Sequence, residues 1–276
     1  MRYGIIRKDS GFTLIELLVA LVVSSALIAA LYRTLISQQK TYSVQEQVAE
    51  TQQNLRVAID QMTREIRMAG YGKPLTSNPP IFPMAANGGP FNNVINPVND
   101  DQVTIIGAFK QVSTLKAIGT NTIELNGNAS EFDSVGNKSY ICVGGLETHR
   151  VTSISGNTLT LDGNLVEKHS IGAPVFKVKA ITYRLSLDST DPKRPVLTRE
   201  DNTDGGGSEV IAENIENLQF TYFDGTGNET AISSDIQMVR VTATARTDMT
   251  DSEYKGTDGY RRRQLISFIK VRNLGL

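Results

Sequence analysis

From Phe12 to Ala69 the chain contains neither proline nor glycine, and no other stretch limits the fold as strongly. Proline breaks a helical hydrogen bond and clashes with the preceding turn, and an interior glycine costs about 1 kcal/mol. Their absence over such a length predicts one long helix. Its first part, Phe12 to Leu31, reads FTLIELLVALVVSSALIAAL and carries a single charge, Glu16. At about 1.5 Å rise per residue that part spans roughly 30 Å, the thickness of a bilayer's hydrocarbon core. Residues 12–33 therefore read as membrane-spanning. A carboxylate there costs about 2.5–3.5 kcal/mol on insertion scales and is expected to have a partner.

Beyond residue 33 the helix changes character. Val44, Val48, Leu55, Ile59, Met62, Ile66 and Ala69 recur at helical spacing as one apolar stripe. Gln45, Glu46, Gln47, Glu50, Arg56, Asp60, Arg64 and Glu65 lie between them. Residues 34–70 thus form an amphipathic half, which Gly70 and Gly72 terminate.

The segment ahead of the apolar run is MRYGIIRKDSG. Arg2, Arg7 and Lys8 outnumber Asp9, so this end stays in the cytoplasm and the rest faces the periplasm. A secretory signal would be cut after its apolar run, behind small residues. Here the punctuation is Gly11, in front of the run. Gly11-Phe12-Thr13-Leu14-Ile15-Glu16-Leu17-Leu18 resembles, without a gap, the class III signal of type IV prepilins and type II secretion pseudopilins. The resemblance implies that a prepilin peptidase cuts between Gly11 and Phe12 and methylates the new amine of Phe12. It also implies that Glu16 pairs with the N-terminal ammonium of a neighbouring subunit. A plain single-pass anchor whose Glu16 snorkels would explain the helix length, but not this spacing of glycine, phenylalanine and glutamate.

Composition removes several function classes. Lys and Arg total 28 against 29 Asp and Glu, so no basic face announces nucleic-acid binding. Cys142 is the only cysteine, which excludes an intramolecular disulfide. It sits in the strand-like run Tyr140-Ile141-Cys142-Val143 and reads as a buried small hydrophobe. The 2 histidines, His149 and His169, leave little for a metal or catalytic site, and His149 reads as a surface residue. We expect no metal and no cofactor, and no Ser/His/Asp set marks an enzyme.

Residues 73–101 hold six of the 9 prolines and read as a loop. A β-rich, barrel-like insert follows over 102–178. Within it, Asn121-Thr122-Ile123-Glu124-Leu125-Asn126-Gly127-Asn128 echoes Asn157-Thr158-Leu159-Thr160-Leu161-Asp162-Gly163-Asn164. Longer strands follow: 175–187, a hairpin of 210–224 with 236–247, and 260–272. Glu200 to Gly207 reads as a flexible acidic hairpin tip rather than a calcium loop, because the ligand spacing and closing glutamate are missing. Arg261-Arg262-Arg263 reads as a solvated strand end that blunts sheet pairing.

Leu55 to Tyr71, the strand from Val210 to Asp224, Val239-Arg240-Val241, and the ending Arg272-Asn273-Leu274 resemble PilW-like minor pilins and J-type pseudopilins. Along the stem, Arg64 and Glu65 either solvate a helix face or meet another subunit. The expected fold is α+β and type IV pilin-like: leader 1–11, stem helix 12–72, loop 73–101, β insert 102–178, and antiparallel sheet 179–276. The resemblance implies a structural minor pilin that helps start pilus assembly and sits near the tip. Its implied partners are the prepilin peptidase, other minor pilins, the major pilin, the inner-membrane assembly platform, a tip adhesin, and lipid along 12–33. A J-type pseudopilin of a type II secretion system is the alternative, and a membrane-anchored periplasmic enzyme is a third.

Overall fold

The computed structural model describes residues 12–72, 93–127, 129–132, 139–203 and 207–273. The expected leader 1–11 and most of the proline-rich loop lie outside these residues. One helix, α1 (Leu14–Met68), runs without interruption. The chain divides into two compact units, Met1–Gln47 and Val48–Leu276. In the first, every described side chain from Phe12 to Ser43 is exposed. Among the described residues α1 alone is long and apolar enough to cross a membrane.

In the second unit the stripe residues Leu55, Ile59, Met62, Ile66 and Ala69 are buried as expected, Ala58 joins them, and Val48 is half-buried. The helix stops where Gly70 and Gly72 adopt φ of 79° and 87°, a region that side chains with a Cβ rarely enter. At Gly72 a Cβ would also lie 2.7 Å from Cys142 Sγ. The turn then joins a strand edge, with Gly70 N–H donating to Ile106 O at 2.8 Å and Ala108 N–H to Tyr71 O at 3.1 Å.

Twelve strands follow: β1 (Ile95–Asn99), β2 (Gln102–Ile118), β3 (Thr122–Leu125), β4 (Tyr140–Val143), β5 (Glu147–Ser155), β6 (Thr158–Leu161), β7 (Pro174–Leu187), β8 (Pro195–Asp201), β9 (Ser208–Glu213), β10 (Ile215–Phe223), β11 (Met238–Arg246) and β12 (Arg262–Lys270). All pairings are antiparallel. The first nine strands form one sheet in the order β1-β2-β3-β6-β5-β4-β7-β8-β9, and β2 also pairs with β7. That extra pairing closes a ring through β2, β3, β6, β5, β4 and β7. Leu115, Ile123, Leu125, Phe132, Ile141 and Leu159 fill it, each fully buried. The echoed segments are β3 and β6, and they pair with each other, with Ile123 opposite Leu159.

The barrel is not a separate bead. β2 and β7 run past it, pairing from Thr114 and Pro174 to Val103 and Tyr183. Their far halves join β1, β8 and β9 as an open sheet. The boundary expected at 178/179 therefore falls inside β7. The open sheet, α1 and the separate sheet β10-β11-β12 share one apolar core, which includes Met62, Ile105, Ile181, Leu218, Val241 and Ile269.

Two expectations are corrected. Residues 95–99, read as loop because of Pro97, form β1. On its outer side no ladder partner lies among the described residues, so the missing proline N–H is tolerated. The single strand expected over 210–224 is two strands, broken at Asn214 with φ 59°. That left-handed residue sends β9 to pair with β8 and β10 to pair with β11.

Candidate assembly site

Gly11 lies outside the described residues, so the geometry of the expected cut begins at Phe12, which is 91% exposed. Thr13 is the N-cap of α1 and Glu16 its third helical residue. Thr13 N–H and Thr13 Oγ1–H both donate to Glu16 Oε2, at 2.9 and 2.8 Å, and Glu16 N–H donates to Thr13 Oγ1 at 3.3 Å. This reciprocal pair is a capping box, and it satisfies helix-end amides that would otherwise be orphaned in oil. The T-x-x-E signature was present in the sequence, and only its glutamate was singled out.

The capping box leaves the charge of Glu16 unbalanced, because its donors are a neutral amide and a neutral hydroxyl. It also occupies one oxygen only. Oε1 has no hydrogen-bond donor among the described residues. A cation from outside the chain can therefore approach Oε1 while the cap stays intact. An ammonium supplies both the charge and the hydrogen bond, the stronger kind of such contact.

Further along the stem, Glu65 does neither of the things expected of it. Tyr183 Oη–H donates to Glu65 Oε2 at 2.6 Å and Arg199 Nε–H to Glu65 Oε1 at 3.0 Å. Tyr183 is fully buried, and burial followed by the neighbouring Glu65 charge holds its phenol well above the usual range. Glu65 thus clamps α1 to β7 and β8 within one chain, while Arg64 is exposed. At the end of the helix Asn273 Nδ2–H donates to Ala69 O at 3.2 Å, so the closing residues cap the helix's free carbonyls.

The histidines also differ from expectation. His149 is not a surface residue: its side chain is 12% exposed, and that of His169 is 1% exposed. Both donate through Nε2 to Glu147, His149 at 2.9 Å and His169 at 2.5 Å. The amides of Val166 and Glu167 donate to the same carboxylate at 3.0 and 3.1 Å. Burial pushes the Glu147 carboxyl up, but these four donors outweigh it and hold it below the usual carboxylate range. The cluster fastens the segment after β6 onto the barrel. The alternation around residue 149 could not reveal this, because three of the four donors come from the connection between β6 and β7, which has no periodicity.

Cys142 is buried as expected, and burial pushes its thiol up to about 11. At the acidic hairpin, Glu200 pairs with Arg184 at 3.1 Å and Asp201 with Lys179 at 2.5 Å. These carboxylates therefore answer cations on β7.

A family model described as the prokaryotic N-terminal methylation motif matches residues 6–32. The match takes in Gly11, Phe12, Thr13 and Glu16 and indicates a type IV pilin-like prepilin signal, which implies processing by a prepilin peptidase. It supports a place among type IV pilins or pseudopilins and, with the apolar helix, membrane anchoring. No curated protein and no solved structure matches the chain.

Proposed function

We propose that the chain is a structural minor pilin with a pilin-like fold. It enters the inner membrane through residues 12–33 with its β unit in the periplasm. It is cut after Gly11, methylated on Phe12, and joins other minor pilins in a complex that starts the pilus and stays at its tip. The observation that carries this reading is the second oxygen of Glu16. A charge sits near the start of an apolar helix, its cap uses only Oε2, and Oε1 is open to an ammonium from another chain. The same pairing sets the axial register between subunits.

The barrel built on β2 and β7 enlarges the outer unit and favours a pilus subunit over a J-type secretion pseudopilin, which would use the same stem chemistry. We assign no catalytic role. The buried, high-pKa thiol of Cys142 and the fully engaged Glu147 support a structural reading. The test is the intact mass of the chain recovered from membranes of cells that assemble the filament, because it reports leader loss and the methyl group together.

A further inference from the structure

The sheet edges are protected unequally. β1 is short and carries Pro97. β9 carries Glu209 and Glu213, held by Arg199 and Arg194 at 3.0 and 3.2 Å. On β10, Phe220 N–H donates to Asp100 O at 2.7 Å and Tyr222 O accepts from Thr230 N–H at 2.9 Å. Proline, charge and local capping are the usual ways of blunting an edge.

β12 has none of these along its middle. Among the described residues it pairs with β11 alone. The bonds Val271 N–H to Gln237 O and Thr247 N–H to Arg261 O, both 2.9 Å, fix the parity of that ladder. Residues 263, 265, 267 and 269 face β11. Gln264, Ile266 and Phe268 therefore turn their N–H and C=O groups outward, with no main-chain partner among the described residues. The strand is apolar here on both faces: Leu265 is 38%, Ile266 50% and Phe268 58% exposed.

Of the arginine run expected to be a solvated strand end, only Arg263 stays exposed without an ion pair among the described residues, and it leaves the middle of the edge uncovered. Arg261 precedes the strand and binds Asp251 at 2.7 Å, and Arg262 binds Glu216 at 2.6 Å and also Asp258. Beside the strand lies a cleft of about 720 Å³, lined by Gln53, Arg56, Val57 and Asp60 of α1 together with Gln264 and Leu265.

We propose that the outer edge of β12 seats an extended strand from a different subunit. Resting on the filament-subunit reading above, this adds the surface and the kind of partner it takes. The incoming strand completes the outward hydrogen bonds of Gln264, Ile266 and Phe268. Its apolar side chains on one face enter the cleft over Val57 and Leu265, and those on the other cover Ile266 and Phe268. Arg263 and Lys270, at the two ends of the apolar run, have no ion-pair partner among the described residues. The partner strand therefore carries carboxylates near its ends. A second copy of this chain fits worse: β12 carries no carboxylate of its own, so an antiparallel β12–β12 pair would leave Arg263 and Lys270 of both copies unanswered.

Hydrogen exchange on the full chain tests this, comparing detergent-solubilised protein with the assembled, leader-processed form. The amides of Gln264, Ile266 and Phe268 should exchange at least about 100-fold more slowly in the assembly. A photoreactive residue at Ile266 should cross-link to a strand of another subunit type. Ile266→Pro removes only an outward N–H, which an edge strand tolerates, and Ile266→Lys provides a second variant that leaves the backbone alone. Each should reduce incorporation at least about tenfold while leader removal continues. Unchanged exchange with normal incorporation of both variants would overturn the edge proposal and leave the subunit reading standing. Cross-linking to a second copy, or to a helix, would overturn it equally. An unprocessed leader in the working assembly would overturn both.

Discussion

Removing the Glu65 side chain should loosen the stem from its sheet by an amount the geometry sets. In Glu65→Ala the fully buried Tyr183 hydroxyl loses its one acceptor among the described residues, a loss of about 1–3 kcal/mol. Arg199 loses one of two carboxylate partners but keeps Glu209 at 3.0 Å. Breaking a buried pair outright costs about 3–5 kcal/mol, and the retained partner places this case near the bottom, about 3 kcal/mol. At about 2–4 °C per kcal/mol for a unit of this size, melting should fall by about 6–12 °C. Tyr183→Phe in the otherwise intact chain removes one hydrogen bond to a charged group and should cost about 1.5–3 kcal/mol. In the Glu65→Ala background the sign changes: the phenol is already an orphan, so its removal should be neutral or stabilising. Thermal unfolding of the four proteins in detergent, followed by circular dichroism, closes the cycle. Equal costs for Tyr183→Phe in both backgrounds would refute the clamp, as would a Glu65→Ala cost below about 1 kcal/mol.

Two further outcomes follow from the other polar sites. The Glu147 carboxyl is held below its ordinary value by the fold, so its contribution is complete above the unfolded pKa, about 4.3, and disappears as pH falls through the lower folded value. Acid titration of stability should therefore show a loss below about pH 4 that flattens in Glu147→Gln; parallel curves for the two proteins would contradict the assignment. Glu16→Ala should leave membrane insertion intact or improved, because it removes a cost of about 2.5–3.5 kcal/mol. It should abolish incorporation into filaments, and normal piliation in that variant would rule out the pairing with a neighbour's ammonium.

What could be read in the sequence was local. The long helix follows from missing proline and glycine, its stop from Gly70 and Gly72, and the methylation motif from the spacing of Gly11, Phe12 and Glu16. Strands with clean alternation, such as β11, were equally visible. Long-range pairing was not. Glu65 meets Tyr183 and Arg199 at sequence separations of 118 and 134, and nothing near Glu65 announces either. Barrel closure depends on β2 pairing with β7, whose partners Thr114 and Pro174 lie far apart in sequence. The echo of β3 and β6 was plain, but repetition alone does not say that the two copies pair. Asn214 reads as an ordinary polar strand residue until its φ of 59° splits the strand. Thr13 was the one site residue both local and overlooked, hidden beside a glutamate whose charge drew the reading.

The most direct measurement is the intact mass of the chain drawn from assembled filaments. The account predicts a species that begins at Phe12 and carries one added methyl group. A filament whose subunit still carries Met1 to Gly11, begins at a residue other than Phe12, or lacks the added methyl group would contradict it.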